Sequence, residues 1–258
     1  MLRFSANISM LFQEYDFLER FEKVAASGFH GVEFMFPYDY DIDVLKQKLT
    51  ENKLEIVLNN LPAGDWVAGE RGIACIPGRE EEFREGVMAA IRYAKVLGTP
   101  KINCLVGKTP QGICEEEVRR TLVNNLRFAA MALAKENILL LIEPINTYDI
   151  PGFYLTGTQK ALALIAEVGS DNLKIQYDIY HMQRMEGELT QTMQTYANSI
   201  GHLQIADNPH RGEPGTGEIN YEYIFNRIAE SNYDGWVGCE YKPQTTTEAG
   251  LTWFERYR

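Results

Sequence analysis

The chain is poor in the residues that mark oxidised, membrane-bound or nucleic-acid-binding proteins. Histidine occurs four times, at His30, His181, His202 and His210, too few for a histidine-rich multi-metal site. Cysteine also occurs four times, at Cys75, Cys104, Cys114 and Cys239, with no C-x-x-C pair. That argues against a disulfide framework and a zinc ribbon, and reads as free thiols, packed in the core of a reduced, cytoplasmic protein. No run of about 18 apolar residues is present, so no membrane span is expected. The opening MLRFSANISMLF lacks the long apolar stretch of a secretory signal. Neither G-x-G-x-x-G after the first strand nor G-x-x-x-x-G-K-[ST] anywhere is found, which argues against a dinucleotide fold and a P-loop. Basic residues are outnumbered, 25 Lys and Arg against 36 Asp and Glu, for a net charge of −11. Phosphate backbones are bound chiefly by Lys and Arg, so nucleic acid is an unexpected partner. A small anionic substrate needs only one or two local cations, to which a bound metal adds charge.

What is present is a regular alternation. No Pro/Ser linker or low-complexity tract divides the 258 residues, and 45% are hydrophobic, so residues 1–258 read as one globular domain. Strand-like runs fall at 3–9, 31–36, 55–60, 101–106, 138–143, 173–178, 202–206 and 236–240. Helical patterns lie near 14–27, 41–52, 79–97, 115–136, 158–168, 189–199, 220–231 and 246–256, with Gly28 and Gly98 as stop signals. The run Ile138-Leu139-Leu140-Leu141-Ile142 is apolar throughout, as a strand covered on both faces requires. Eight strands alternating with eight helices predict an α/β fold, a single (β/α)8 TIM barrel.

In such a barrel the site forms at the C-terminal ends of the strands. Glu143 ends the fifth strand, Asp178 the sixth and Glu240 the eighth, while Gln204 lies in the seventh. Each lies one βα unit, about 30 residues, beyond the last, so the four converge on one side of the mouth. Parity agrees. His202 and Gln204 share one face of their strand, Gly238 and Glu240 one face of theirs, and the apolar Leu203, Ile205, Val237 and Cys239 take the other. Three gathered carboxylates repel one another unless one is protonated or a cation joins them. An all-oxygen set of three carboxylates and an amide suits Mg²⁺ or Mn²⁺ better than zinc. Two octahedral positions would stay open for neighbouring substrate oxygens. Solvated strand-end residues are the alternative reading. A metal chelating a carbonyl and its adjacent hydroxyl acidifies the intervening C–H, and flanking carboxylates can move the proton, which is ketose–aldose isomerase or epimerase chemistry.

The stretches IEPIN (142–146), QYDIYHMQRMEGEL (176–189), GHLQIAD (201–207), GEPGTGEINY (212–221) and GWVGCEYKP (235–243) resemble those of the hydroxypyruvate isomerase family. So do RFSANISMLF near the start and GVEFMFPYDY (31–40), and the resemblance covers essentially the whole chain. It implies a xylose-isomerase-like TIM barrel that interconverts hydroxypyruvate and tartronate semialdehyde, an activity of glyoxylate metabolism. It marks Glu143 and Glu240 as the proton donor/acceptor pair, and Glu143, Asp178, Gln204 and Glu240 as the metal position. Related ketose epimerases carry a histidine where Gln204 stands. They also have a substrate-contacting histidine at the offset of His181, which otherwise reads as a capped loop residue.

The substrate carboxylate calls for a cation. Arg71 and Lys108 follow the third and fourth strands, and His210 and Arg211 the seventh. Each is otherwise a solvated charge. Arg71 ranks first, because its guanidinium fork matches a carboxylate and it lies in a long polar segment, 62–79, of the kind that forms a lid. Trp66 in that segment would exclude water or simply pack. The rival functions are a sugar epimerase on the same barrel, an apurinic-type endonuclease, and a non-catalytic binding barrel. Association into a homo-oligomer is compatible with the sequence, which locates no interface.

Overall fold

The computed structural model describes residues 2–257. Eight strands, β1 (Arg3–Asn7), β2 (Gly31–Glu33), β3 (Glu55–Asn60), β4 (Lys101–Cys104), β5 (Leu139–Ile142), β6 (Leu173–Asp178), β7 (Ile200–Ile205) and β8 (Trp236–Cys239), form a closed parallel barrel in sequence order. β1 completes the ring by pairing with β8, Ser5 opposite Gly238. The α/β barrel expected from the alternation is therefore the fold.

The helices are α1 (Arg20–Ala26), α2 (Ile42–Glu51), α3 (Glu80–Leu97), α4 (Glu115–Ala134), α5 (Thr158–Val168), α6 (Ile179–Met185), α7 (Leu189–Thr195) and α8 (Tyr221–Glu230). Two 3-10 segments, Ala197–Ser199 and Ala249–Tyr257, accompany them. α3 and α4 each open with three glutamates, which favour the positive end of the helix dipole. α3 stops at Gly98, whose φ of 87° is cheap only for glycine.

The alternation of side chains divides the interior into two regions. Phe4, Ala6, Ile175, Tyr177, Leu203, Ile205, Val237 and Cys239 point outward into the main hydrophobic core beneath the helices. A smaller cluster, Val57, Leu58 and Leu141 with Leu139 and Trp236, packs apart from it. Buried polar groups on the opposite parity, Asn103, Gln176, His202, Gln204 and Glu33, bond to one another and to the strand-end carboxylates. Gly238 is required here, because a Cβ would stand 1.9 Å from Glu33 Oε1.

Two expected elements differ, and one element is additional. The first helix starts at Arg20, not near residue 14, because the segment before it is tied to the far end of the chain. Thr247 Oγ1 accepts from the Phe12 amide at 2.6 Å, and the Glu14 carboxylate accepts from the Thr247 amide at 2.5 Å. The expected helix 246–256 is a 3-10 segment whose Trp253, Phe254 and Tyr257 all pack on Phe4. α6 was not expected. It is only seven residues long and starts directly from β6, with Asp178 Oδ1 accepting the Tyr180 and His181 amides as its cap. Among the cysteines, Cys75, Cys104 and Cys239 are buried and fit the packing role, whereas Cys114 is exposed at the start of α4.

Candidate active site

Glu143 follows β5 directly, Asp178 ends β6, Gln204 lies in β7 and Glu240 follows β8, and all four are buried. They share the barrel mouth. A cavity of about 490 Å³ lined by Lys101, Leu139, Lys174 and Tyr233 belongs to the other end, where β4, β5 and β6 begin.

The two glutamates are held by different donors. Glu143 Oε2 accepts from Asn103 Nδ2 and Gln176 Nε2, each at 2.9 Å. Glu240 Oε1 accepts from Arg211 Nη2 at 2.9 Å, and its Oε2 from Asn7 Nδ2 at 3.3 Å. Arg211 Nη2 also lies 3.7 Å from Asp178 Oδ2. Its loop is built around Asp207, whose carboxylate accepts the amides of Asn208, Gly215, Gly217 and Ile219. The Arg211 carbonyl accepts from the Lys242 amide at 2.7 Å, fixing the loop beside Glu240.

His181 lies between the acids. Its Nε2 is 3.7 Å from Glu143 Oε1 and 3.5 Å from Asp178 Oδ2. Glu143, Asp178 and His181 present ligand atoms that all lie within 4.8 Å of one another. Asp178 Oδ2 is buried without a hydrogen-bond donor, an open valence that a cation would satisfy. The carboxylate oxygens thus fit a hard divalent ion.

Gln204 sits differently. Its Oε1 accepts from Gln176 Nε2 at 2.7 Å, and its Nε2 donates to Glu33 Oε1 at 3.3 Å. The Glu143 carboxylate pins the Gln176 amide nitrogen, so turning Gln204 over would set two NH₂ groups face to face. The amide oxygen of Gln204 is engaged within the barrel. Gln176 and Glu33 were not among the expected site residues. The parity that selected Gln204 also selects Gln176, two positions before Asp178.

Burial dominates the electrostatics. It pushes the Glu143 carboxyl well above its ordinary range; the negative charges of Glu240 and Asp178 add to this, while Arg211 and Asn103 oppose it. Glu240 is pushed up to about 8, again first by burial, with Arg211 pulling down and Asp178 and Glu33 pushing up. Asp178 rises to about 6 through burial, against Arg211 and the capping amides. Burial, with Arg211 and Arg184 nearby, holds His181 neutral by lowering its pKa well below the usual value. For Arg211, burial pulls the value down, but Glu240, Asp178, Glu143 and Asp149 more than offset it.

The other expected cations lie elsewhere. Arg71 donates to the carbonyls of Trp66 and Glu70 and stacks 3.9 Å from the Trp66 ring, which packs on Phe36. Lys108 Nζ donates to the Gly69 carbonyl at 2.9 Å, tying the same loop down. His210 is exposed. Among the expected cations, the one bonded to the carboxylates is Arg211.

The xylose isomerase-like TIM barrel family model matches residues 21–257. A hydroxypyruvate isomerase from Escherichia coli K12 is 75% identical over 258 residues, covering 100% of both chains. The chain belongs to the hydroxypyruvate isomerase family of xylose isomerase-like TIM barrels. Another relative of this hydroxypyruvate isomerase family member, a 2-oxo-tetronate isomerase from Cupriavidus necator, is 45% identical, covering 100% of this chain and 99% of that one. A solved structure from Brucella melitensis, described as a family 2 AP endonuclease, superposes with a TM-score of 0.98 at 45% identity and covers 100% of both chains. A 3-keto-D-glucoside 4-epimerase from E. coli superposes at 0.81 with 20% identity, covering 99% of each chain, which is a likeness of fold alone.

Proposed function

We propose that the protein interconverts hydroxypyruvate and tartronate semialdehyde by proton transfer between Glu143 and Glu240. The 75% identity to a hydroxypyruvate isomerase over the full length carries the substrate class. Buried carboxylates held at the two ends of one strand arc support the mechanism. One carboxylate removes the C3 proton of hydroxypyruvate. The C3–H electron pair forms the C2=C3 bond of an enediolate as the carbonyl pair moves to O2; the C3 hydroxyl proton then passes to that oxygen, C3=O forms, and the other carboxyl, which starts protonated, delivers its proton to C2. In the reverse direction the two exchange roles.

Glu143 and Asp178 would hold one divalent ion, Mg²⁺ or Mn²⁺, with Glu240 beside them. Such an ion polarises the carbonyl and steadies the enediolate charge. Gln204 Oε1 accepts one bond from Gln176 and keeps a second lone pair, so it would serve as an oxygen ligand to the ion while also steadying the carboxylates through Gln176 and Glu33. Arg211 is the cation best placed for the substrate carboxylate, ahead of Arg71, Lys108 and His210, because only its guanidinium contacts the acids. His181 offers its Nε2 edge to the same space.

Residues 1–258 act as one domain in this reading, supported by the closure of β1 on β8. A cytoplasmic location is favoured by the four free thiols. No helix among the described residues is long and apolar enough to cross a membrane. The Brucella relative's description raises a nuclease reading, which the net charge of −11 disfavours.

The test is turnover of hydroxypyruvate followed by proton NMR, before and after chelation, with 2-oxo-tetronate, free ketoses and abasic DNA as competitors. Hydroxypyruvate should be the preferred substrate, and chelation should slow it. Product formed in heavy water should carry deuterium at C2. Turnover of a ketose alone would overturn the substrate, and unlabelled product would replace proton transfer with hydride transfer.

A further inference from the structure

We propose that Asn146 is a positioning residue that holds His181 as the tautomer protonated at Nε2, so that the ring offers the site a hydrogen-bond donor and not a metal-binding lone pair. Asn146 is fully buried just beyond β5. Its Oδ1 accepts from the backbone amides of Tyr148, at 3.0 Å, and Asp149, at 2.8 Å. Its Nδ2 donates to Asp149 Oδ2 at 3.2 Å and faces His181 Nδ1 at 2.6 Å. Turning the amide over would set its NH₂ against two N–H groups and its oxygen against a carboxylate. The orientation is therefore fixed by four partners, and at Nδ1 only a lone pair is compatible with it. A doubly protonated ring is excluded by the same contact. The proton must be on Nε2, which faces Glu143 Oε1 and Asp178 Oδ2.

One contact points the other way. Arg211 Nη2 lies 3.5 Å from His181 Nε2, as if donating to it. That distance is at the outer limit of a hydrogen bond, and the same nitrogen bonds Glu240 Oε1 at 2.9 Å. The shorter contact at Nδ1 decides the tautomer. Although His181 clusters with Glu143 and Asp178, it is then a donor to a substrate oxygen, and the ion rests on oxygen ligands. The catalytic part of this inference rests on the proposed isomerase reaction; the tautomer does not.

The tautomer is read directly from long-range ¹H–¹⁵N correlation spectra of histidine-labelled full-length protein, with and without Mg²⁺, with His181 identified through a His181→Gln variant. His181 should show a pyridine-type Nδ1 and a protonated, pyrrole-type Nε2 in both conditions. Asn146→Asp sets a carboxylate against Nδ1 and should invert that pattern. It should lower kcat about 10²-fold, as loss of a donor to a developing oxyanion does, with a far smaller change in KM. Asn146→Ser keeps an acceptor for the Tyr148 and Asp149 amides but loses the donor to Nδ1; it should mix the tautomers and lower kcat about 10-fold. A protonated Nδ1 in the wild type, or inversion in Asn146→Asp with kcat unchanged, overturns the proposal. The expected spectrum in a protein that does not act on hydroxypyruvate would sink the substrate reading and leave the tautomer standing.

Discussion

Glu143 and Glu240 stand at the two ends of the same arc, and the fold secures them by opposite means. Glu143 is held by two neutral amides, Asn103 from β4 and Gln176 from β6, both in the rigid wall of the barrel. Glu240 is held chiefly by the charged guanidinium of Arg211, which comes from a loop built on Asp207. Amide donors fix position at little electrostatic cost. A guanidinium also balances charge, in a site where burial presses every carboxylate toward its protonated form. One end of the site is therefore set by strand packing and the other by a loop.

The largest expected effect is removal of either proton carrier. Glu143→Gln and Glu240→Gln should each lower kcat about 10³-fold while the variants stay folded by circular dichroism. Retention of activity in both would remove the mechanism. Arg211→Met should act on one end only. It leaves buried carboxylates without their counter-charge, which costs roughly 3 kcal/mol in the metal-free protein, and added Mg²⁺ should restore part of the loss in thermal midpoint. A variant with unchanged stability and kcat/KM would show that the guanidinium is incidental.

Gln176→Leu tests the other end. It strips one donor from Glu143 and the partner from Gln204 Oε1, so a cost of about 1–3 kcal/mol is expected in denaturant unfolding, with a kcat loss near 10-fold. If the two ends are held as differently as described, Arg211→Met should respond strongly to Mg²⁺ and Gln176→Leu weakly.

The effect confined to pH concerns Glu33, in the polar chain beneath both ends. Burial raises its carboxyl from 4.5 to about 8, against the Gln204 bond and Lys101, and its Oε2 lies 2.9 Å from His202 Nε2. Below pH 4.5 the folded and unfolded states are both protonated there. As pH rises toward 8 the unfolded state ionises first, so the native protein loses stability across that window, and the loss is complete above it. Burial depresses His202, with Lys101 adding, so its cost grows as pH falls below 6.5. Glu33→Gln removes the first contribution and leaves the second. Its advantage in unfolding free energy over wild type, read by denaturant unfolding, should grow from pH 5 to pH 8 by an amount on the order of a few kcal/mol. A constant difference across that range would show that Glu33 is ionised throughout.

The sequence by itself determined the barrel and the four strand-end residues, because period-two alternation and βα spacing are local properties that follow from strand geometry. It also exposed enough of the wall, through parity, to have selected Gln176. It missed α6, whose only local signal was an aspartate at a strand end. It ranked Arg71 above Arg211, because a polar loop reads the same whether it bonds to itself or reaches the site. Only the tertiary structure paired Arg71 with Trp66, brought Arg211 to Glu240, engaged the oxygen of Gln204 with Gln176, and set Asn146 against His181. Those are contacts between side chains on different strands and loops. Their geometry depends on how the closed barrel places each loop over its neighbour, which no single segment encodes. The opposite treatment of Glu143 and Glu240 thus belongs to the fold, although both glutamates were legible in the chain.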